Sequence, residues 1–201
     1  TSTKAFPQGF SRAFVTAYDL IIPNAARNAD LVVSVSDFSR HEMQKYYGLD
    51  ASRIPICYEG SDHIKAQLPD EAVLDRLHLR GRPYFLGVGI HAYNKNLAGA
   101  FAALKRANLK DAVLVATGRR RVDIHGTLPA ISDDKLIDTG HITDGELRAL
   151  YEHALALVYP STYEGFGLPP LEAMQCGCPA IVSDHEVLVE IGGDATLRCG
   201  V

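Results

Sequence analysis

Short apolar runs alternate with amphipathic segments over the second part of the chain. Polar stretches between these runs carry apolar residues at helical spacing, and Thr143 and Glu146 have the spacing of a capping box ahead of one such helix. The pattern predicts five strands: 84–88, 112–116, 135–139, 155–159 and 179–183. Strands and helices that alternate in this way predict an α/β fold with a parallel, doubly wound sheet.

The beginning of the chain has a less regular pattern. Aromatic and aliphatic residues about four positions apart predict an amphipathic helix within 1–28, which Pro23 should break. Behind it the pattern predicts a strand at 29–36 and a strand at 53–57. Between them, Ser39 and Glu42 have the spacing of a capping box at the start of a helix that Gly48 stops. Core packing is the simplest explanation of these apolar positions.

Three parts follow from these patterns. Residues 63–80 are polar, contain Pro69 and one short helical pattern around 71–79, and have the composition of a linker. We therefore predict a first part at 1–62, a linker at 63–80 and a sheet domain at 81–201. Because the chain begins without Met and a strand-like run directly precedes its last residue, we expect both ends to be cut.

Composition narrows the class of protein. The 201 residues are 47% hydrophobic and 22% charged, which is typical of a globular protein. The net charge of −4 argues against a nucleic-acid partner, because phosphate backbones require clustered Lys and Arg. Four cysteines without a metal-binding spacing favour free thiols in a reducing compartment over a zinc site.

The most informative stretch lies between the last two predicted strands. Two prolines follow the sequence Glu164-Gly165-Phe166-Gly167-Leu168, so a helix is predicted at 169–176 with Gly177 as its left-handed stop. The N–H groups of 165–168 then lie in front of the helix start, where the glycines and the helix dipole favour an anion. Glu164 and Glu172 stand on either side of this predicted phosphate site.

These residues resemble a family signature. Glu164 and Glu172, with seven residues between them and Gly-Phe-Gly-Leu-Pro inside, are similar to the Glu-x7-Glu motif of the retaining glycosyltransferases of family 4. The resemblance implies a GT-B fold, in which 81–201 is most of the donor-binding domain and 1–62 is the end of the acceptor-side domain. It also implies that Glu164 lies by the donor sugar and that Glu172 binds the ribose hydroxyls of the nucleotide.

A second candidate loop follows the first predicted strand. In the resemblance, Gly89 approaches the donor, Lys95 reaches its diphosphate and Asn96 caps the following helix. Gly87-Val-Gly89-Ile-His-Ala92 also has the glycine spacing of a dinucleotide-binding loop. Against that alternative, the next strand ends without an acidic residue and the helix is predicted to start only after Asn96.

The chain departs from the family in this loop, because no arginine stands between Gly89 and Lys95. From its position alone, the run Arg119-Arg120-Arg121 is a candidate replacement, and His91 could approach the sugar or its phosphate. Ile142 falls where the family uses a backbone contact to the nucleobase.

The resemblance implies transfer of a sugar from a nucleoside-diphosphate sugar to a hydroxyl of a glycan or a lipid-linked acceptor, with retention and without an obligatory metal or other cofactor. GDP-mannose is the preferred donor, since the motif resembles bacterial polysaccharide mannosyltransferases. We expect a cytoplasmic protein and leave open a peripheral contact with the inner face of the membrane. A GT-B isomerase or phosphorylase, and a non-catalytic module that binds sugar nucleotides, remain alternatives.

Overall fold

Six parallel strands form one sheet in the order β3-β2-β1-β4-β5-β6. The computed structural model describes residues 1–89, 92–118 and 133–201. The strands are β1 Tyr84–Val88, β2 Val113–Thr117, β3 Leu136–Gly140, β4 Ala156–Tyr159, β5 Ala180–Ser183 and β6 Leu197–Cys199. Five of them lie within one residue of the predicted runs, and β6 is the strand-like run at the end of the chain. The predicted parallel α/β sheet is confirmed.

Helices lie on both faces of the sheet. Among the described residues they are α1 Ser2–Ala5, α2 Arg12–Asn28, α3 Asp37–Tyr47, α4 Asp62–Ala66, α5 Ala72–Arg76, α6 Leu97–Ala107, α7 Asp144–His153, α8 Leu168–Gln175 and α9 Glu186–Gly192. Thr143 and Glu146 form the predicted capping box of α7. In this part of the chain, no helix is both long and apolar enough to cross a membrane.

Two apolar clusters cover the sheet. On one face, α6 packs through Ala100 and Leu104 against Leu114. The larger cluster contains Leu86, Val115, Leu157 and Val182 from four strands together with residues of α4, α5, α7, α8 and α9. All five residues of β2 are buried. Burial on both faces explains why the sequences of β1, β2, β4 and β5 are nearly continuous apolar runs without alternation.

The connections reverse direction between β1 and β4. The chain leaves β1 through α6 to reach β2 on one side, and it returns from β3 through α7 to β4 on the other side. The loops after β1 and β4 therefore begin side by side at the carboxyl ends of two neighbouring strands. In doubly wound sheets this is the place where ligands bind.

The predictions for the first part of the chain are corrected in three places. The helix Arg12–Asn28 continues through Pro23, because a proline removes one N–H group while the flanking turns retain theirs. The predicted strands at 29–36 and 53–57 reduce to a single bridge between Ser34 and Ile56. Among the described residues no other strand lies beside them, and a strand without neighbours cannot satisfy its backbone.

The start of α3 also differs from the prediction. Ser36, three residues before the predicted cap Ser39, accepts the hydrogen bond from the Ser39 N–H at 3.0 Å. Glu42 therefore does not complete a capping box and instead accepts hydrogen bonds from Lys45 and from the Tyr163 hydroxyl. Gly48 ends the helix in the left-handed conformation, with φ of 68°, as predicted.

The polar stretch at 63–80 contributes to the core of the sheet domain. Ile64, Val73, Leu74 and Leu79 are each at most 2% exposed and belong to the same cluster as the sheet residues. The short helix expected at 71–79 spans Ala72–Arg76. The division into 1–62, 63–80 and 81–201 stays a prediction.

Candidate functional site

An ion pair joins the loops that follow β1 and β4, the two neighbouring strands between which the winding direction of the sheet reverses. Lys95 ends the 3₁₀ turn Tyr93–Lys95 after β1, and Glu164 lies in the loop after β4. The Lys95 Nζ atom is 2.5 Å from Glu164 Oε1, and the two side chains are only 16% and 12% exposed. Lys95 Nζ also contacts the hydroxyl of Tyr159 and lies 4.5 Å from the centroid of its ring. The structure therefore brings two predicted site residues together.

One oxygen of Glu164 makes all of the polar contacts found for this carboxylate among the described residues. In addition to Lys95, its Oε1 atom accepts from the Tyr159 hydroxyl at 2.9 Å and lies 2.5 Å from Ser161 Oγ. Asn94 Nδ2 is 3.4 Å away. Burial, and next the negative charge of Glu164, raise the pKa of Tyr159 well above its usual value, so this hydroxyl keeps its proton.

Glycines allow close backbone approach beneath Lys95. Gly89 has φ of 66°, and a Cβ atom there would lie 3.7 Å from Lys95 Cε. A Cβ atom at Gly118 would lie 3.1 Å from the Cα of Gly89, so the ends of β1 and β2 touch at this point. The helix after this loop begins at Leu97, with Asn96 as its cap, and not at the glycines. This matches the expectation that argued against a dinucleotide-binding loop.

The segment between the two glutamates has the predicted shape. Helix α8 starts at Leu168, one residue earlier than predicted, with the two prolines in its first turn, and Gly177 is left-handed with φ of 74°. Gly167 has φ of 104°, and a Cβ atom there would lie 2.6 Å from Leu188 Cδ2. No hydrogen bond between described residues uses the N–H of Gly165, Phe166, Gly167 or Leu168. Four consecutive donors are thus available at a helix start.

Glu172 lies in the first turns of α8 and is 7% exposed. Its Oε2 atom accepts from the Tyr151 hydroxyl at 2.9 Å, and its Oε1 atom lies 2.7 Å from His63 Nε2. Tyr151 is fully buried, and burial followed by the charge of Glu172 raises the pKa of Tyr151 well above its usual value. Among residues 1–89, 92–118 and 133–201, Glu172 therefore has hydrogen-bonding partners but no lysine or arginine in contact.

The remaining predicted residues have different outcomes. The side chain of Ile142 is buried in the core, and its backbone contact to the nucleobase stays a prediction. His91 and Arg119-Arg120-Arg121 lie outside the described residues.

Sequence reasoning missed several partners of the two glutamates. Tyr159 and Ser161 precede Glu164 by five and three residues, and Asn94 directly precedes Lys95, so their proximity in the chain was an available signal. His63 is 109 residues from Glu172, and no pattern in the sequence connects them.

Similarity to known proteins agrees with this geometry. The family model described as "Glycosyl transferases group 1" matches residues 75–200. O-antigen chain mannosyltransferase B of Escherichia coli is 35% identical over 181 residues, which cover 85% of this chain and 47% of that protein. The O-antigen chain mannosyltransferase RfbU of Salmonella typhimurium is 29% identical, with 85% of this chain and 48% of that protein covered. The chain spans about half the length of these relatives.

Solved structures share the fold. Sucrose-phosphate synthase from Thermosynechococcus elongatus superposes with a TM-score of 0.70 at 24% identity, over 92% of this chain and 49% of that one. Anabaena HepE in complex with UDP-glucose superposes with a TM-score of 0.72 at 18% identity, over 92% and 54%. At these identities the likeness shows the fold alone, and it confirms the predicted GT-B architecture. Because the family model matches more than half of this chain, the chain belongs to the group 1 glycosyl transferases.

Proposed function

We propose that this chain is the donor-binding part of a retaining glycosyltransferase of the family 4 type. It would move a sugar from a nucleoside-diphosphate sugar to a hydroxyl of a glycan or a lipid-linked acceptor. The observation that carries this proposal is the meeting of Lys95, Glu164 and the four open N–H groups of 165–168 at one end of the sheet. Such a site offers positive charge and N–H donors to a diphosphate, with a carboxylate beside it for the sugar.

Lys95 is suited to contact the diphosphate. An ammonium group has three N–H donors. Glu164 and the Tyr159 hydroxyl use two of them, which leaves one for a phosphate oxygen. Together with the N–H groups of the loop, Lys95 would stabilise the charge that develops on the departing diphosphate.

Glu164 is suited to the sugar. Its Oε1 atom carries the contacts to Lys95, Tyr159 and Ser161, while no described side chain hydrogen-bonds to Oε2. The Oε2 atom can accept from a sugar hydroxyl, and the carboxylate charge favours positive charge at the anomeric carbon. In the reaction, the bond from this carbon to the diphosphate oxygen breaks, and its bond to the acceptor oxygen forms on the same face. The acceptor proton passes to the departing phosphate.

Glu172 would bind the ribose. Each of its oxygens has one hydrogen-bonding partner among the described residues, and a carboxylate oxygen can accept more than one hydrogen bond. Ile142 would contact the base through its backbone.

GDP-mannose is the donor we propose, because the relatives named above are mannosyltransferases of O-antigen chains. The structural neighbour HepE was solved with UDP-glucose, so uridine donors form the natural comparison. We further propose that the reaction needs no obligatory metal, and that the protein works in the cytoplasm, with peripheral contact to the inner face of the membrane as part of the hypothesis.

Calorimetry on the chain tests the proposal. GDP-mannose, UDP-glucose, UDP-N-acetylglucosamine, GDP, UDP and NAD are titrated into the wild type, Glu172→Ala and Glu186→Ala. Glu186 is an exposed acid in the first turn of α9 and controls for a general effect of removing such a residue. We expect saturable binding of one sugar nucleotide, weakened about tenfold or more by Glu172→Ala alone, because a charged hydrogen bond to the ribose is lost. Binding of NAD only, or no binding by the folded chain, would contradict the proposal.

A further inference from the structure

Two serines from the first part of the chain hold the loop that contains the open N–H groups. Ser36 Oγ donates to the carbonyl oxygen of Gly165 at 2.6 Å, and Ser39 Oγ donates to the same oxygen at 2.7 Å. Both serines are buried, at 0% and 5% exposure. They are 129 and 126 residues away from Gly165 in the chain, so this contact joins distant segments directly at the candidate donor site.

The geometry of the peptide bond means that this contact also sets the direction of the next N–H group. The described residues contain no cis peptide bond. In a planar trans peptide the C=O and the following N–H point in opposite directions. When the Gly165 carbonyl is held toward α3, the N–H of Phe166 must point away from α3. Phe166 N–H is one of the four open donors, so the two hydroxyls set the direction of a group that we assign to the diphosphate.

The serines are themselves held in place. Ser36 Oγ accepts from the Ser39 N–H at 3.0 Å and thereby caps α3. The Glu190 carboxylate, on α9, accepts from the N–H of Asp37 at 2.7 Å and of Phe38 at 3.1 Å. The first turn of α3 is thus bound to an element of the sheet domain on one side and to the Gly165 carbonyl on the other. A carboxylate at a helix start also opposes the helix dipole favourably.

We propose that Ser36 and Ser39 are positioning residues for diphosphate binding, which they control by orienting the 165–166 peptide. This inference rests on the proposed function, because that function supplies the diphosphate which the Phe166 N–H binds. It adds a dependence of nucleotide affinity on residues that lie outside the sheet domain. Neither serine needs to touch the nucleotide.

The test separates the diphosphate from the nucleoside. Calorimetric affinities of GDP and guanosine, and of UDP and uridine, are measured for the wild type, Ser39→Ala and Ser39→Thr. Ser39 takes part in the helix cap only through its backbone N–H, so Ser39→Ala leaves that cap intact. We expect Ser39→Ala to weaken binding of the preferred diphosphate about tenfold, with the matching nucleoside unchanged, because one hydrogen bond that orients the peptide is lost. Ser39→Thr retains the hydroxyl and should restore the affinity.

Two further variants separate orientation from helix capping. Ser36→Asp keeps a good capping residue but cannot donate to the carbonyl, and it should reproduce the loss. Ser11→Ala removes the capping serine of α2 and should leave GDP and UDP affinity unchanged. Melting curves establish that each variant is folded.

An unchanged ratio of diphosphate to nucleoside affinity in folded Ser39→Ala would overturn the inference while the proposed function stands. Equal weakening of both ligands would also overturn it, because the serine would then support the fold only. If the wild type binds neither diphosphate, the proposed function fails and this inference fails with it.

Discussion

Glu164 and Glu172 belong to one loop and helix, yet their surroundings differ in charge. Glu164 faces the ammonium group of Lys95, and its contacts gather on one oxygen. Glu172 faces a buried tyrosine hydroxyl on one oxygen and the half-exposed His63 on the other. The first carboxylate is balanced by a buried cation and the second by hydrogen bonds. An anion that approaches Glu164 must compete with this carboxylate for Lys95. Hydroxyl groups that approach Glu172 can instead donate to the lone pairs that its oxygens still have free.

The partners come from different places in the fold, and this explains the difference. Lys95 is fixed by the close approach of two strand ends at Gly89 and Gly118. Tyr151 comes from α7 and His63 from α4, and neither belongs to the loop after β1 that supplies Lys95. The spacing within the motif does not distinguish the surroundings of Glu164 from those of Glu172. The elements that pack beside each glutamate make the difference.

The largest expected effect concerns the Lys95–Glu164 pair. Lys95→Met leaves the largely buried Glu164 carboxylate without its cation, and we expect a loss of about 3 kcal/mol in the free energy of unfolding. Adding Glu164→Gln should recover much of that loss, which gives a coupling energy of roughly 2 kcal/mol in a double-mutant cycle measured by urea unfolding at pH 7. The more exposed pair Lys105–Asp133, whose side chains are 50% and 22% exposed, is the matched control and should show a coupling of no more than about 1 kcal/mol. The absence of coupling at Lys95–Glu164 would mean that this ion pair does not form in solution.

The second expected effect is a loss of stability at alkaline pH. It arises from the two buried tyrosines that donate hydrogen bonds to Glu172 and Glu164. The pKa values of Tyr151 and Tyr159 are raised well above 10 in the folded protein, by burial first and then by Glu172 and Glu164 respectively. Above pH 10 the unfolded chain releases protons that the folded protein retains, so the free energy of unfolding should fall as pH rises. Each such tyrosine contributes a slope of up to about 1.4 kcal/mol per pH unit.

Tyr151→Phe and Tyr159→Phe should each reduce this slope by up to about 1.4 kcal/mol per pH unit when urea unfolding is followed between pH 10 and 11. The core variant Val182→Ala controls for destabilisation without loss of a titrating group and should lower the stability by the same amount at every pH. A Phe variant with the wild-type slope would show that its tyrosine ionises normally when folded.

The smallest expected effect concerns His63. Its side chain is 46% exposed, so solvent screens its interaction with Glu172. We expect His63→Gln to change the free energy of unfolding by no more than about 0.5 kcal/mol in urea at pH 7. Tyr151→Phe, on the buried side of the same carboxylate, should cost about 1–2 kcal/mol under the same conditions. A larger loss for His63→Gln than for Tyr151→Phe would reverse the assignment of the buried partner as the stronger one.

Most of the sheet could be predicted from local pattern. Strands β1, β2, β4 and β5 are predictable because a parallel strand buried on both faces must be largely apolar, whereas the edge-side β3 contains Asp138 and Thr139 and has no fully buried residue. The motif around Glu164 and Glu172 was also predictable, since prolines and glycines impose its loop and helix start with little help from the rest of the molecule. The strands predicted at 29–36 and 53–57 failed because strand formation depends on a neighbour, which local pattern does not supply.

The sequence by itself determined the order along the chain of strands β1 to β5 and of helices α6, α7 and α8 between them. It also determined the turn at Gly177, the cap of α6 by Asn96 and the spacing of the two glutamates. These depend on interactions between residues close together in the chain. Only the tertiary structure decided which partner each glutamate has, that Pro23 lies inside a helix, and that Ser36 and Ser39 hold the carbonyl of Gly165. Those contacts join segments up to 129 residues apart, and they follow from the way the chain crosses the sheet.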